Sequence, residues 1–342
     1  MNGYRIAANI DRRQWSDFVL NHPHGNIFQT PEMFELFKRT DNYEPLFFVV
    51  LDETGKVKGS LLGVIQKESP GIMGYFSSRT LVWGGPLVDP SDDETEAAVL
   101  GMLLDELVRQ AGSRSIYIQS RNLFDMSRYS DKFKENGFRY HEHLNYIVET
   151  GVRDETEKKI SKSKIRQVRK SLKTGAKITE PCNIKQVEEF YNILKDLYKT
   201  KVKRPLPDWS FFRSFHQMSR DGKIGKYFLI EYKKEIIGGI MCPITREKTI
   251  YECYVCGLDG KHEGVYPSVL ATWASIEYAL NNGLKYFDFM GAGKPDRDYG
   301  VREFKAKFGG KVVEYGRFER INNKSLFVLG KLGLKILGAL KK

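Results

Sequence analysis

Cysteine is scarce, with four in 342 residues, too few for a disulfide framework. Cys253 and Cys256 have CxxC spacing, but they lie in TIYECYVCG, a β-branched and aromatic run that reads as a strand. Side chains three apart on a strand point to opposite faces and cannot share a metal. The six histidines fall in no recognisable catalytic motif, and GxSxG, P-loop and HExxH patterns are absent. No metal site is therefore expected. No apolar run approaches the roughly 18 residues needed to cross a bilayer, and MNGYRIAANIDRR lacks the apolar core of a secretory signal. A cytoplasmic protein with reduced thiols is expected. Charged residues at 29% and hydrophobic residues at 41% exclude general disorder, and the length suits about two domains.

Acids are missing from two stretches, and the net charge of +12 is concentrated there. Between Lys158 and Lys177 every charged residue is basic, including Lys162, Lys164, Arg166, Arg169 and Lys170. This segment reads as one helix, opened by Asp154, Glu155 and Glu157 and closed by Gly175, with a thin apolar stripe of Ile160, Ile165, Val168 and Leu172. It is either a solvated linker helix or a polyanion site, since clustered Lys and Arg release counterions when they bind phosphates. Residues 321–342 hold the second basic stretch, SLFVLGKLGLKILGALKK. At 100° per residue Lys324, Lys331, Lys335 and Lys342 share one face, and leucines and isoleucines fill much of the rest. Such a helix either docks on the protein's own core or lies on an anionic membrane surface.

The order of elements nearly repeats. Two helices, a β-meander, a helix, a strand, a helix and a strand occur before the basic segment and again after it. That is the order of a GNAT-type acyltransferase fold. An α+β chain of two tandem GNAT-like domains is expected, each a mixed, mainly antiparallel sheet flanked by helices. The predicted divisions are 1–152, a basic connecting helix at 153–176, a second domain at 177–320, and the cationic amphipathic tail at 321–342.

GNAT enzymes cradle the pyrophosphate of coenzyme A on a glycine-rich loop and a helix N-terminus. Here the corresponding stretch, VCGLDGKHEGVYPSVLATW, has scattered glycines and places Tyr266 and Pro267 where backbone amides would approach a phosphate. In the first half, VDPSDDETEA sets acids before the equivalent helix. Neither loop is a good CoA site.

FDFMGAGKPDRDYGVREFKAKFGGKVVEYGRF, together with NIFQTPEMFELFKR, WGGPLVD and SKIRQVRKSLKTGAKI, resembles the FemABX family of aminoacyl-tRNA-dependent peptidyltransferases. The resemblance spans nearly the whole chain in order. It implies twin GNAT-like domains and transfer of an amino acid to an amine of a peptidoglycan or other cell-envelope precursor. It also implies roles for matching positions. Phe304 and Lys305 match the family's reaction-channel FK, where a lysine would stabilise the oxyanion formed on aminolysis of the aminoacyl ester. Lys38 matches a lysine that contacts the acceptor's diphosphate, and Asp89 an acid that orients or deprotonates the acceptor amine. Arg204 and Tyr254 are looser matches to acceptor-binding positions. Where the family has a short FGG, this chain has FMGAGKPDRDYG, so Lys294, Asp296, Arg297, Asp298 and Arg302 are expected at the cleft mouth.

The expected partners are aminoacyl-tRNA, on the Lys162–Lys170 surface, and a UDP-linked or lipid-linked muropeptide. No resident cofactor is expected, and the protein is read as a monomer, with possible contact to the inner face of the plasma membrane through its tail. Two alternatives stand beside this reading. One is an acyl-CoA-dependent N-acyltransferase acting on an envelope sugar or lipid. The other is a non-catalytic protein that binds an anionic ligand.

Overall fold

The computed structural model describes residues 3–296 and 300–329. It divides into two compact units. One takes the chain up to Glu142 and returns at Tyr315, and the other is His143–Glu314. Arg297, Asp298 and most of the amphipathic tail lie outside the described residues, the last of which, 324–329, are helical. Among the described residues no helix is long and apolar enough to cross a membrane.

The first unit runs β1 (Tyr4–Ala7), α1 (Arg12–Asn21), α2 (Pro31–Lys38), β2 (Tyr43–Asp52), β3 (Val57–Gln66), α3 (Gly71–Tyr75), β4 (Arg79–Trp83), β5 (Leu87–Val88), α4 (Asp93–Ala111), β6 (Tyr117–Arg121), α5 (Ser130–Glu135) and β7 (Arg139–His141). Its central strands are buried almost without interruption, from Leu46 to Leu51 and from Gly59 to Gln66. Continuous burial in place of alternation marks strands covered on both faces. Helix α4 begins where the Asp92 side chain accepts from the Thr95 amide and Asp93, Glu94 and Glu96 occupy the first turn. It buries Val99, Leu100, Leu103, Leu104 and Leu107.

The second unit follows with β8 (Leu144–Glu149), α6 (Arg153–Lys159), α7 (Lys162–Lys173), β9 (Lys177–Thr179), α8 (Ile184–Leu197), α9 (Trp209–Arg220), β10 (Gly225–Tyr232), β11 (Glu235–Thr245), β12 (Thr249–Tyr251), β13 (Tyr254–Gly257), α10 (Pro267–Asn281), β14 (Tyr286–Asp288), α11 (Gly300–Ala306) and β15 (Lys311–Glu314). Strand β16 (Arg317–Ile321) comes last. Helix α10 is buried on nearly every side, from Val269 through Ile276, so its apolar residues are not confined to one stripe.

Both sheets have eight strands and share a plan. In the first, the order is β1-β2-β3-β4-β6-β16-β7, with β5 on β3. In the second it is β15-β8-β14-β12-β11-β10-β9, with β13 on β11. Each contains one parallel pair, formed across a helical crossover: β4 with β6, and β12 with β14. Just past that pair, one strand breaks and its continuation stays with the meander alone, as β5 on β3 and β13 on β11. The sheet therefore opens into a wedge at Gly84–Pro86 in the first unit and at Glu252–Cys253 in the second. The tandem GNAT-like architecture is as the sequence indicates, but TIYECYVCG is two strands with this break between them.

The boundaries differ from those expected. Strand β8, assigned to the first domain, pairs with β14 and β15 in the second sheet. Strand β16, assigned to the second domain, pairs with β6 and β7 in the first. The units exchange one strand each, so cuts at 152 and 320 fall on the wrong side of both. The basic segment is not one connecting helix. It is two helices, α6 and α7, with Ile160 extended between them, and both lie inside the second unit.

Candidate active site

The wedge of the second unit is built around a buried ammonium. Lys305, on α11, is 8% exposed, and its Nζ donates to Phe289 O at 2.7 Å and Gly291 O at 2.9 Å and pairs with Glu252 Oε1 at 3.0 Å. All three of its hydrogens are accounted for. Glu252 lies at the strand break, 4% exposed, with Thr272 donating to its other oxygen. Asp288, at the end of β14, accepts from Asn145 Nδ2 at 2.7 Å and from the Met290 amide at 2.6 Å. Burial pushes both the Glu252 and Asp288 carboxyls up, against the pull of the Lys305 charge.

Arg302, one turn earlier on α11, clamps the same loop further along. It donates to Ala292 O at 3.1 Å, to Pro295 O at 3.3 Å and to Lys294 O. The loop needs such fixing, because Met290 sits at φ 59° and Gly291 and Gly293 are also at positive φ. Arg302, expected to bind substrate at the cleft mouth, thus has its guanidinium engaged in loop carbonyls. Lys294 is exposed beside it.

The FK pair also joins α11 to the basic helix. Ser161 N donates to Lys307 O at 2.9 Å. Gly309, at φ 79°, gives room to the Lys159 backbone, which a Cβ there would meet at 2.5 Å. The Lys164 ammonium stands 4.0 Å from the centroid of the Phe304 ring and 5.5 Å from that of Phe308. The structure therefore separates Lys164 from its expected companions. Lys164, Val168 and Ser171 form the buried face of α7. Lys162, Arg166, Arg169 and Lys170 lie on the opposite face. There they line, with Lys158 and Lys173, a groove of about 800 Å³ over Ile160 and Ile165. Among the described residues none of those six cations has an ion-pair partner. The inward turn of Lys164 has a physical cause, since aromatic ring faces attract a cation.

Inner-face Ser171 accepts from the Tyr266 amide at 3.0 Å, at the entrance to α10. Pro267 has no amide hydrogen, and Ser268 donates its backbone N–H to Asp259 Oδ1 at 3.2 Å and its hydroxyl to Asp259 Oδ2. Gly257 brings β13 so close to this turn that a Cβ would meet Ser268 N at 2.5 Å. The place where this fold commonly holds a pyrophosphate already contains a carboxylate. Tyr254, on β13, packs edge-on to Phe211 and Phe212. Arg204 is exposed, just past Lys203 in its left-handed conformation.

In the first unit the expected residues have different surroundings. Asp89 Oδ2 takes Lys58 at 2.6 Å and Lys56 at 3.7 Å, so this carboxylate is held between two lysines. Lys38 ends α2 in the open, a cation in the last turn of the helix. The motif stretches NIFQTP and WGGPLVD turn out to be one packing unit. Fully buried Gln29 donates to Trp83 O and Leu62 O and accepts from Leu62 N. Asn26 donates to Gly84 O at 2.6 Å. A Cβ on Gly84 would strike Asn26 at 2.6 Å, and one on Gly85 would strike Gln29 at 2.5 Å. The paired glycines are there for those amides.

Sequence reasoning missed Glu252, Asp288, Asn145 and Gln29. Glu252 and Asp288 did carry a signal, each being a lone acid in an otherwise apolar strand run, which calls for a buried partner.

A model of the FemAB family matches residues 228–332, the stretch that carries the wedge, α10 and α11. The stretch that matches the FemAB family is the one that holds Glu252, Asp288 and Lys305. The resemblance read from the sequence is thereby borne out, and the FemX crystal structure agrees with it at the level of fold. FemX shares 16% identity over 95% of this chain and 99% of its own, with a TM-score of 0.70. A tandem GNAT protein from the clavulanic acid biosynthesis pathway matches over 93% of this chain and 98% of its own, at 13% identity and TM-score 0.58. The C-terminal domain of a putative lysylphosphatidylglycerol synthetase from Agrobacterium fabrum covers 96% of each chain, at 13% identity and TM-score 0.57. No curated protein matches the sequence.

Proposed function

We propose that the protein is an aminoacyltransferase that moves an amino acid from aminoacyl-tRNA to an amine of a peptidoglycan or other cell-envelope precursor. The acceptor nitrogen attacks the ester carbonyl, an oxyanion forms, and the bond to the terminal ribose oxygen breaks. The amine's proton passes to that ribose hydroxyl. An aminoacyl ester is already activated, so the enzyme's main contribution is to hold the two reactants together and shelter the oxyanion. Lys305 reaches that oxyanion by giving up the Gly291 carbonyl, the less buried of its two backbone acceptors.

The observation that carries this reading is the closed entrance to α10. With the Asp259 carboxylate on Ser268 and Ser171 on the Tyr266 amide, the turn repels the pyrophosphate of an acyl-CoA. The unpaired cations of the α6–α7 groove offer a phosphate-backbone contact in its place. The match of residues 228–332 to the FemAB family and the fold shared with FemX support the same donor.

The test is a comparison of thermal stabilisation by aminoacyl-tRNA and by acetyl-CoA or longer acyl-CoA. Stabilisation by the former alone is expected. Stabilisation by acyl-CoA alone would move the protein to the N-acyltransferases.

A further inference from the structure

Two lysines flank Phe304 in space, and they are unlike. Lys305 has an acceptor for every hydrogen. Lys164 is 7% exposed, yet among the described residues no carboxylate or carbonyl accepts from its ammonium, which faces the rings of Phe304 and Phe308. Burying an ammonium without an acceptor is costly. Its nitrogen is not sealed from solvent, unlike the truly enclosed orphan atoms such as Gln167 Oε1. A ligand can therefore supply what the protein does not.

We infer that Lys164 Nζ anchors a phosphate-binding site on the inner side of α7, with the phosphate lying against the Phe304 ring edge and shared with Lys307. Lys307 follows α11, and its carbonyl accepts from Ser161 N at the N-cap of α7 at 2.9 Å, which brings its charge close enough to act on Lys164. Together with burial, that charge holds the Lys164 ammonium down at about 8, and Asp259 opposes them. A phosphate has the charge and the acceptor oxygens to serve two ammoniums. Asp259 cannot fill the site itself because both its oxygens are engaged by Ser268. The fold thus closes its usual phosphate cradle at α10 and opens another on the neighbouring helix.

The phosphate belongs either to a nucleotide of the donor RNA or to the diphosphate of a nucleotide-linked acceptor. That choice rests on the aminoacyl-transfer reading, but the existence of the site does not. Lysine-selective 13C NMR of the full chain tests it, with Lys164→Met used to assign the resonance. AMP supplies a nucleotide monophosphate, UDP a diphosphate, and adenosine a control without phosphate. The expected result is that AMP, UDP or both shift the Lys164 resonance and raise its titration midpoint, while adenosine does neither. Lys164→Met should weaken binding of the active nucleotide at least tenfold. A Lys164 resonance that neither nucleotide moves, or affinity unchanged in Lys164→Met, would overturn the assignment. No turnover is needed, so failure here is distinct from failure of the transfer assay.

Discussion

Lys305 and Arg302 stand one turn apart on α11 and grip the same loop in succession, Lys305 at Phe289 and Gly291, Arg302 at Ala292 and Pro295. Two cations on a short helix thus set the backbone of the wedge in the FemAB-matched region. The Lys305 end is anchored on Glu252, at the break between β12 and β13, so one ion pair ties the loop to the strand break.

Lys305→Met should be strongly destabilising, by about 3–5 kcal/mol, because it leaves the Glu252 charge buried without its partner. Urea denaturation measures this. The double variant Lys305→Met/Glu252→Gln should recover a large part of the loss, as the uncompensated charge is then gone. If the single variant keeps wild-type stability, the pair is not what fixes the loop.

The same cluster predicts a pH dependence. Burial raises the Glu252 and Asp288 carboxyls above their unfolded values, so the folded chain holds those protons to higher pH than the unfolded chain does. Their stabilising contribution is present below about pH 4 and is lost as pH rises through the folded values. Lys305 pulls both carboxyls down, so removing it pushes them further up. The deficit of Lys305→Met should therefore be largest near neutrality and shrink toward pH 4, as read from denaturation curves at several pH values.

Gln29 and Gly85 should show coupled effects. Gly85→Ala puts a methyl group into the Gln29 amide and should destabilise the first unit, and Gln29→Ala should do so by leaving the Leu62 and Trp83 groups unpaired. In the Gln29→Ala background the methyl meets empty space, so Gly85→Ala should cost at least 1 kcal/mol less there, on the order of contacting-pair coupling energies. A double-mutant cycle on thermal or urea unfolding gives the number, and strict additivity would contradict the packing described.

Much of this fold was legible in the chain. The strands and helices announced themselves by period, and their order gave the tandem arrangement. The exchange of β8 and β16 left no local trace, because alternation marks a strand without saying which sheet it joins. Helix α7 shows a subtler limit. Its apolar residues read as a thin stripe of Ile160, Ile165, Val168 and Leu172, yet Leu172 is exposed, Ile165 is only partly buried beside the groove, and the buried face is Lys164, Val168 and Ser171. Its neighbours are aromatic rings and a free amide, which take a cation and a hydroxyl as readily as they would take leucine. Similarly, FK was recognisable as a motif, but that its lysine holds a loop was visible only once Phe289 and Gly291 were placed.

Lys164→Met should stabilise the protein near neutral pH, on the order of 1 kcal/mol, since it removes a buried ammonium that lacks an acceptor. The folded value of about 8 lies below the unfolded 10.5, so the folded chain binds fewer protons between them and wild-type stability rises across that interval. The advantage of the methionine variant should narrow as pH climbs from about 8 to 10.5. Melting temperatures across that range check it, and a variant less stable than wild type at pH 7 would contradict it.

The most direct measurement is transfer of a labelled amino acid. Purified protein is mixed with labelled aminoacyl-tRNAs and with lipid-linked and UDP-linked muropeptides, alongside parallel reactions with acyl-CoA donors. Label is expected in a muropeptide, with a loss of at least tenfold in Arg166→Glu/Arg169→Glu with the fold intact, and no consumption of acyl-CoA. Acyl-CoA consumed while the tRNA-borne label stays in place would contradict the aminoacyl-transfer reading.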